Sequence, residues 1–441
     1  MKRQIIKIDE EKVKRNLETV IDNIEKDYKL YVKNPEKDFS RNRKLNFKEM
    51  IHILLSMNGK SLSSELIEYF SYNSDYPTKA GFIQQRDKIS SKAFENILKS
   101  FTKLSGNINR YHGYRLLAVD GSNLAIAHNP KDEKTYFPNK HGKGSNSLQL
   151  NMLYDLCNKI CVDAVIQNGR ESDERGALID MVKSLERGEK AIFISDRGYE
   201  SYNVIENIKQ KNFDFLIRIK DINSNGISSG LILPKEDIFD VNISLLLTRR
   251  QTNEIKQQQS KYKFMPKNQH FDFLLPEDKG TYPINFRIVR FPIGENSYEV
   301  LVTSLSKEEF PIEKLKELYH MRWGIETAFR ELKYAIGLTS FHSKKVEYIK
   351  QEIFAKLTMY NFCEIITLNV VIHKKDRKHN YQVNFTIAIS ICLQYFKLKP
   401  DIPPINVEAL IQKHILPVRL GRKDPRKVKT KSSVSFLYRI A

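Results

Sequence analysis

The chain is poor in cysteine and tryptophan: its 441 residues hold four Cys and one Trp. Four thiols, at Cys157, Cys161, Cys363 and Cys392, cannot build a disulfide framework in a chain this long, and none stands in a CxxC pair or in Cys/His spacing suited to zinc. We assign Cys157 and Cys161 no chemistry, and the composition fits a reducing cytosol. Long apolar runs are missing too. The most hydrophobic stretches, 354–372 and 385–396, are interrupted by Lys, Glu, Asn or Gln and fall short of the roughly 18 uninterrupted apolar residues of a membrane span. The first twenty residues are charged throughout and lack the apolar segment that secretion needs. Acid is also short, with 53 Asp+Glu against 73 Lys+Arg, a formal net charge of +20. That imbalance is unlike a metabolic enzyme and points to polyanions, nucleic acid first. Hydrophobic residues at 41% and aromatics at 10% exclude a disordered or collagen-like chain.

At roughly 150 residues per domain the length suggests about three domains. Residues 1–110 carry apolar positions three and four apart, as in FKEMIHILLSM and FENILKSFTKL, and read as helical. Within them SLSSELIEYF and KAGFIQQRDKI read as two short helices around a polar turn. That pair could offer Lys79, Gln84, Gln85, Arg86 and Lys88 to a DNA groove, or simply pack. From 115 the texture becomes short β-branched and aliphatic runs: RLLAVD, SLQLNMLYDL and ICVDAVIQ, then a helical ERGALIDMVKSLERG, then AIFIS, NVIENIKQK and FDFLIRIK. This is an α/β pattern with a mixed sheet. Residues 221–308 give only strand-like runs and read as a β-rich insertion. Helical periodicity returns after Pro311 through 370 and again over 382–413. A basic tail follows, with Arg419, Arg422, Lys423, Arg426, Lys427, Lys429 and Lys431 against the single acid Asp424, suited to phosphate contact or to solvation.

Two carboxylates end strands. Asp120 follows LLAV and precedes Gly121-Ser122, and Asp196 follows AIFIS and precedes Arg197-Gly198-Tyr199. In open α/β sheets such ends border the ligand crevice, and a neighbouring glycine permits close backbone approach. One such aspartate alone would read as a turn or cap residue. The segment YHMRWGIETAFRELKYAIGL adds Tyr319, Arg322, Glu326 and Lys333. At about 100° per residue they fall near 0°, 300°, 340° and 320°, within an arc of about 60°. A buried line of this kind needs a purpose, because charges taken from water need partners; an exposed stripe with an Arg322–Glu326 pair would give the same pattern.

The spacing Tyr-x2-Arg-x3-Glu-x6-Lys resembles the signature of bacterial insertion-sequence transposases of the DDE type, those with the YREK motif, the cut-and-paste hairpin-forming enzymes with an RNase H-like, retroviral-integrase-like core. AVDGS at Asp120, SDRGY at Asp196, the later GLTSFHSKK, and DFSRNRKLNF and GFIQQR near the N-terminus are similar to the family's other blocks, so that the resemblance covers about residues 38–431. It implies a catalytic, metal-holding triad of Asp120, Asp196 and Glu326 with two Mg2+ ions, which Mn2+ would replace. It also implies that Arg322 grips a phosphate bidentately, Lys333 as a point charge and Tyr319 by a hydrogen bond. Arg197 and Tyr199 after the second Asp, and His342 and Lys344 in the later block, are further candidate DNA contacts, with turn or solvated-helix roles as the alternatives.

The implied architecture is an α/β, RNase H-like core in two parts, 111–220 and 309–375, separated by the insertion 221–308. A helical DNA-binding region, 1–110, precedes it and a helical region with the basic tail, 376–441, follows. Implied partners are double-stranded DNA, as terminal inverted repeats and target, and a second copy of the chain in a synaptic homodimer; the location is the cytoplasm, with the bacterial nucleoid. The family's hairpin step places a tryptophan from the insertion beside a flipped base, whereas the one Trp here, Trp323, lies in the signature segment. An insertion Phe or Tyr would have to serve, or the step differs. Trp323 itself, turned about 100° from the charged line, is expected in the core. The rival readings are a catalytically silent DNA-binding regulator of transposition and a nuclease without strand transfer.

Overall fold

The computed structural model describes residues 9–41, 43–106, 109–222, 224–295, 297–368, 370, 380–398, 402–403 and 405–418. The basic tail from Arg419 lies outside the described residues. Five helices come first: α1 (Glu10–Lys26), α2 (Phe47–Ser56), α3 (Leu62–Tyr69), α4 (Lys79–Arg86) and α5 (Ser91–Ser105). Each begins where a side chain caps a free N–H, from Asp9, Asn46, Ser61, Thr78 and Ser90 respectively. The strand-rich segment then runs β1 (Arg115–Ile126), β2 (Tyr136–Phe137), β3 (Ser145–Asp155), β4 (Ile160–Asn168), α6 (Glu174–Ser184), β5 (Ala191–Ser195), α7 (Tyr202–Gln210) and β6 (Asp214–Ile219). After it come β7 (Phe239–Thr248), α8 (Asn253–Gln257), β8 (Tyr262–Phe264), β9 (Thr281–Gly294) and β10 (Ser297–Thr303). The chain closes with α9 (Ile312–Met321), α10 (Trp323–Tyr334), α11 (Val346–Thr367), β11 (Asn380–Val383), α12 (Phe385–Lys397), α13 (Val407–Lys413) and β12 (Ile415–Val418).

The expected mixed sheet is present. β4, β3 and β1 form an antiparallel meander, and β1, β5 and β6 continue it in parallel, each joined by a helical crossover. This order is that of an RNase H-like sheet. The residues expected as an insertion are strands, but not a separate layer: β10 pairs with β6, β9 with β10 and β7 with β9, so one ten-stranded sheet runs through both. An unpaired β6 edge would leave its N–H and C=O groups without partners, and β10 covers it.

Period-2 alternation divides β1 between two cores. Leu117 and Val119 face α6 and α7, while Ala118 belongs to the cluster that includes Ile325, Ala328 and Leu332 of α10 and most of α11. That same cluster takes in Val13, Leu54, Phe94 and Phe101, so the N-terminal helices share a core with α11. α11 is buried on every side, which explains its lack of a polar face. Truncating one of its large apolar side chains would cost about 2–5 kcal/mol.

Candidate functional site

The strand pattern sets the first two carboxylates. Asp120 does not end its strand as expected: β1 runs on to Ile126, and Asp120 lies within it, two residues beyond Ala118 on the face covered by α10. β1 and β5 pair in parallel with Ala118 opposite Ile194, and two residues further along each strand stand Asp120 and Asp196. Neighbouring strands are about 4.8 Å apart, so this register sets the two side by side where β5 ends. Asp196 turns its carboxylate to the Gly198 N–H at 2.8 Å, and Asp120 accepts from the Gly121 N–H at 2.8 Å.

The third carboxylate comes from the helices beyond the insertion. The expected single helix near residue 320 is two, α9 and α10, meeting at Arg322. Arg322 keeps right-handed helical geometry, with φ −50° and ψ −33°, so Glu326 still stands one turn on, and the Arg322 Nη2 donates to its Oε1 at 2.8 Å. Glu326 and Lys333 then face β1 from α10. Burial pushes the Asp120 carboxyl up to about 6, the charges of Asp196 and Glu326 add to the rise, and the Gly121 N–H and Arg322 oppose it. Burial lowers the Lys333 ammonium, and Asp120 counters this. The strand register thus brings Asp120 and Asp196 together, and the Arg322 bond ties in Glu326, with Lys333 two turns further along α10.

Several groups there lack a protein partner. The Tyr319 hydroxyl, Arg322 Nε, the Tyr199 hydroxyl and Asn151 Oδ1 are buried without hydrogen bonds. Such orphans are costly in a core and mark places where a ligand or ordered water belongs. Among the described residues, no three His, Cys, Asp or Glu side chains stand close enough to enclose a metal ion. The donor set nonetheless suits a hard divalent cation: the charges of Asp196 and Glu326 bear on Asp120, and Arg322 is hydrogen-bonded to Glu326, so that among the described residues the two aspartates have no cationic side chain bonded to them.

The remaining expectations divide. Arg197 and Lys344 are exposed, as a DNA contact requires. Tyr199 is not: at 1% exposure it belongs to the core with α6 and α7. His342 is corrected too. Its side chain is 1% exposed, its Nδ1 stands 3.1 Å from Glu352 Oε2 and its Nε2 3.0 Å from the Lys60 carbonyl, so it joins helices instead of facing solvent. Arg86, one of the residues that the α3–α4 pair could offer to a groove, is buried against Glu352 at 3.1 Å. Trp323 was expected in the core and is 49% exposed, its indole 5.4 Å from the Arg322 guanidinium. The junction at Arg322 sets it there, at the first residue of α10.

One residue escaped sequence reasoning. Glu174 opens α6 after the N-cap Asp173, and its Oε1 accepts from Gln149 Nε2 at 2.7 Å. A carboxylate in the first turn of a helix is ordinary, so nothing in ESDERG distinguishes it. In space it borders Gly121 of β1 and the Asp196 loop, and burial followed by the Asp196 charge raises its carboxyl.

No described helix is long and apolar enough to cross a membrane. A transposase for insertion sequence element IS231F from Bacillus thuringiensis subsp. israelensis is 21% identical over 276 residues, which are 57% of this chain and 56% of that protein. The transposase InsG for insertion sequence element IS4 from Escherichia coli (strain K12) is 28% identical over 139 residues, 29% of this chain and 31% of that one. The piggyBac transposase in a synaptic complex with hairpin DNA, solved by cryo-EM, superposes with a TM-score of 0.46 at 12% identity, over 96% of this chain and 89% of that one. The chain thus matches just over half the length of the first of these curated relatives. Residues 111–362, from the turn before β1 into α11, match the transposase DDE domain, and the protein belongs to that family.

Proposed function

We propose that the protein is a cut-and-paste transposase of an insertion sequence, of the YREK type, which cleaves double-stranded DNA at terminal inverted repeats and joins the ends to target DNA. The observation that carries this is the gathering of Asp120, Asp196 and Glu326 with Arg322 and Lys333 at one end of the sheet, in a chain of net charge +20. Asp120 and Asp196 would hold divalent cations between β1 and the end of β5, with Glu326 joining them once Arg322 turns to a phosphate. Two Mg2+ ions, with Mn2+ as substitute, would supply activation of a water or 3′-hydroxyl and stabilisation of the leaving oxygen. Arg322 presents a planar fork to the phosphate beside the scissile bond, backed by the unpaired Tyr319 hydroxyl, and Lys333 contributes a point charge one face along α10.

Exposed Arg197 and Lys344 extend the phosphate track. In the hairpin route, a freed 3′-hydroxyl attacks the opposite strand, water reopens the hairpin, and the ends then attack target DNA, all from this one site. Two copies of the chain would pair the two ends. The test uses purified protein, wild type beside Glu326→Gln, with Mg2+ and DNA carrying the gene's own flanks, and maps strand ends on denaturing gels. Metal-dependent nicks at paired inverted repeats, joined products, and neither in the variant are expected. DNA binding without any cleavage in Mg2+ or Mn2+ would overturn the reading.

A further inference from the structure

The glycines after the two aspartates share an unexpected neighbour. A Cβ on Gly121 would overlap Gln149 Nε2 and Glu174 Oε1 and press on Asn151 Oδ1. A Cβ on Gly198 would stand 3.1 Å from Asp196 Oδ1 and 3.6 Å from Glu174 Oε2. Neither glycine has a positive φ. Their value is space, and one carboxylate reaches into both spaces, with Oε1 toward Gly121 of β1 and Oε2 toward the Asp196 loop. Asp120 meets α10 on one face of β1, and Glu174 comes from α6 on the other, across the bare backbone of Gly121.

Glu174 is held there deliberately. Gln149 of β3 donates to its Oε1, and Gln167 of β4 bonds both the N–H and the carbonyl of Asp173, fixing the start of α6. Arg175 Nε donates to the Gly198 carbonyl at 2.8 Å, tying the same helical turn to the Asp196 loop. Its side chain borders an open cleft of about 520 Å³ that also touches Asn123 and Gly198. Two buried groups nearby have no partner. Asn151 Oδ1 abuts the Gly121 position, and the Tyr199 hydroxyl, 1% exposed, lies in the field of Glu174, Asp120 and Asp196. A hydrated cation resolves both deficits, because its water can donate to the amide oxygen and accept from the hydroxyl.

We infer that Glu174 is a fourth carboxylate of the site and holds, with Asp196, a divalent cation directly or through its water. The inference rests on the proposed reading of Asp120 and Asp196 as cation ligands. A purely structural role predicts something different: glutamine keeps the acceptor oxygen that Gln149 uses, so Glu174→Gln would then change nothing at the cation.

The test is Mn2+ binding to the full chain without DNA, read from the EPR signal of the free ion, for wild type, Glu174→Gln, Glu174→Asp and Asp196→Asn. Thermal unfolding in chelator serves as the control for folding. Removal of a carboxylate that supports a metal site lowers affinity about 10–100-fold. The expected results are a loss of that size in Glu174→Gln with an unchanged unfolding midpoint, partial recovery in Glu174→Asp, and the greatest loss in Asp196→Asn. Glu174→Gln binding Mn2+ within twofold of wild type, while Asp196→Asn has lost it, would overturn the role of Glu174 and leave the aspartates as ligands. Equal binding by all four proteins would overturn both readings.

Discussion

Two clusters of buried charge in this protein differ in how completely they are satisfied. Between the N-terminal helices and α11, Arg86 donates to Glu352, to Gln351 Oε1 at 2.8 Å and to the Tyr348 carbonyl at 2.6 Å. Glu352 in turn accepts from the His342 N–H at 3.1 Å, and Lys356 reaches the carbonyls of Gly337 and Ser340. The Arg86 and His342 partners hold the Glu352 carboxyl well below the usual carboxylate range despite its burial. At the sheet end, by contrast, Asp120 is pushed up to about 6 by burial and by its neighbours, and Tyr319, Tyr199, Asn151 and Arg322 each keep an atom unpaired. The first cluster closes on itself and joins elements. The second is incomplete in the protein alone, which is the mark of a place that receives something.

The sharpest way to break the comparison is to remove the arginine from each cluster. Arg86→Ala leaves Glu352 buried without its cation and should cost about 3–5 kcal/mol of stability by denaturant unfolding. Arg322→Ala should unfold nearer to wild type yet lose cleavage. Equal destabilisation by the two would erase the distinction.

Asp120→Asn should act in the opposite direction. The folded pKa, about 6, lies above the ordinary aspartate value of about 3.9, so folding favours the protonated acid and stability is lost as pH rises between them. At pH 8 in chelator the asparagine variant should be more stable by at most about 3 kcal/mol, at 1.36 kcal/mol per pKa unit, and near pH 4 the two should converge. A variant no more stable than wild type at pH 8 would remove the repulsion argument.

His342→Ala strips a partner from Glu352 and should cost about 1–3 kcal/mol while leaving the salt dependence of DNA binding unchanged. A shallower salt slope would restore His342 to the DNA surface. Lys333→Ala should produce the smallest effect: a weakening of DNA binding across sequences, with the log–log salt slope reduced by about 1. A slope equal to wild type would show that Lys333 touches no phosphate.

Much of the site was legible because it depends on local pattern. Asp120 and Asp196 sit at the ends of aliphatic runs before a glycine, and the blocks around them, taken in order with the segment at Glu326, carry the resemblance that singles them out. Arg322 and Glu326 are four residues apart, and their contact survives the junction between α9 and α10 because Arg322 keeps helical geometry. Other residues were misjudged for a single reason: exposure is not a local property. The sequence leaves Arg86, His342 and Tyr199 open between DNA contact and packing or turn roles, and the packing of α11 and α7 decides for burial, whereas Trp323, expected in the core, lies exposed at the start of α10. Glu174 was invisible because its neighbours, Gly121, Gln149 and Gly198, come from three separate segments.

By itself, then, the sequence determined most of the strands and helices, the +20 charge and, through a family resemblance, which three carboxylates to look for, since periodicity, charge and motif spacing are all written along the chain. Only the tertiary structure decided that β10 continues the sheet from β6, that Asp120 and Asp196 stand abreast, and which buried charges are closed and which are left open. Register and desolvation arise between segments far apart in the chain, and no run of neighbouring residues encodes them.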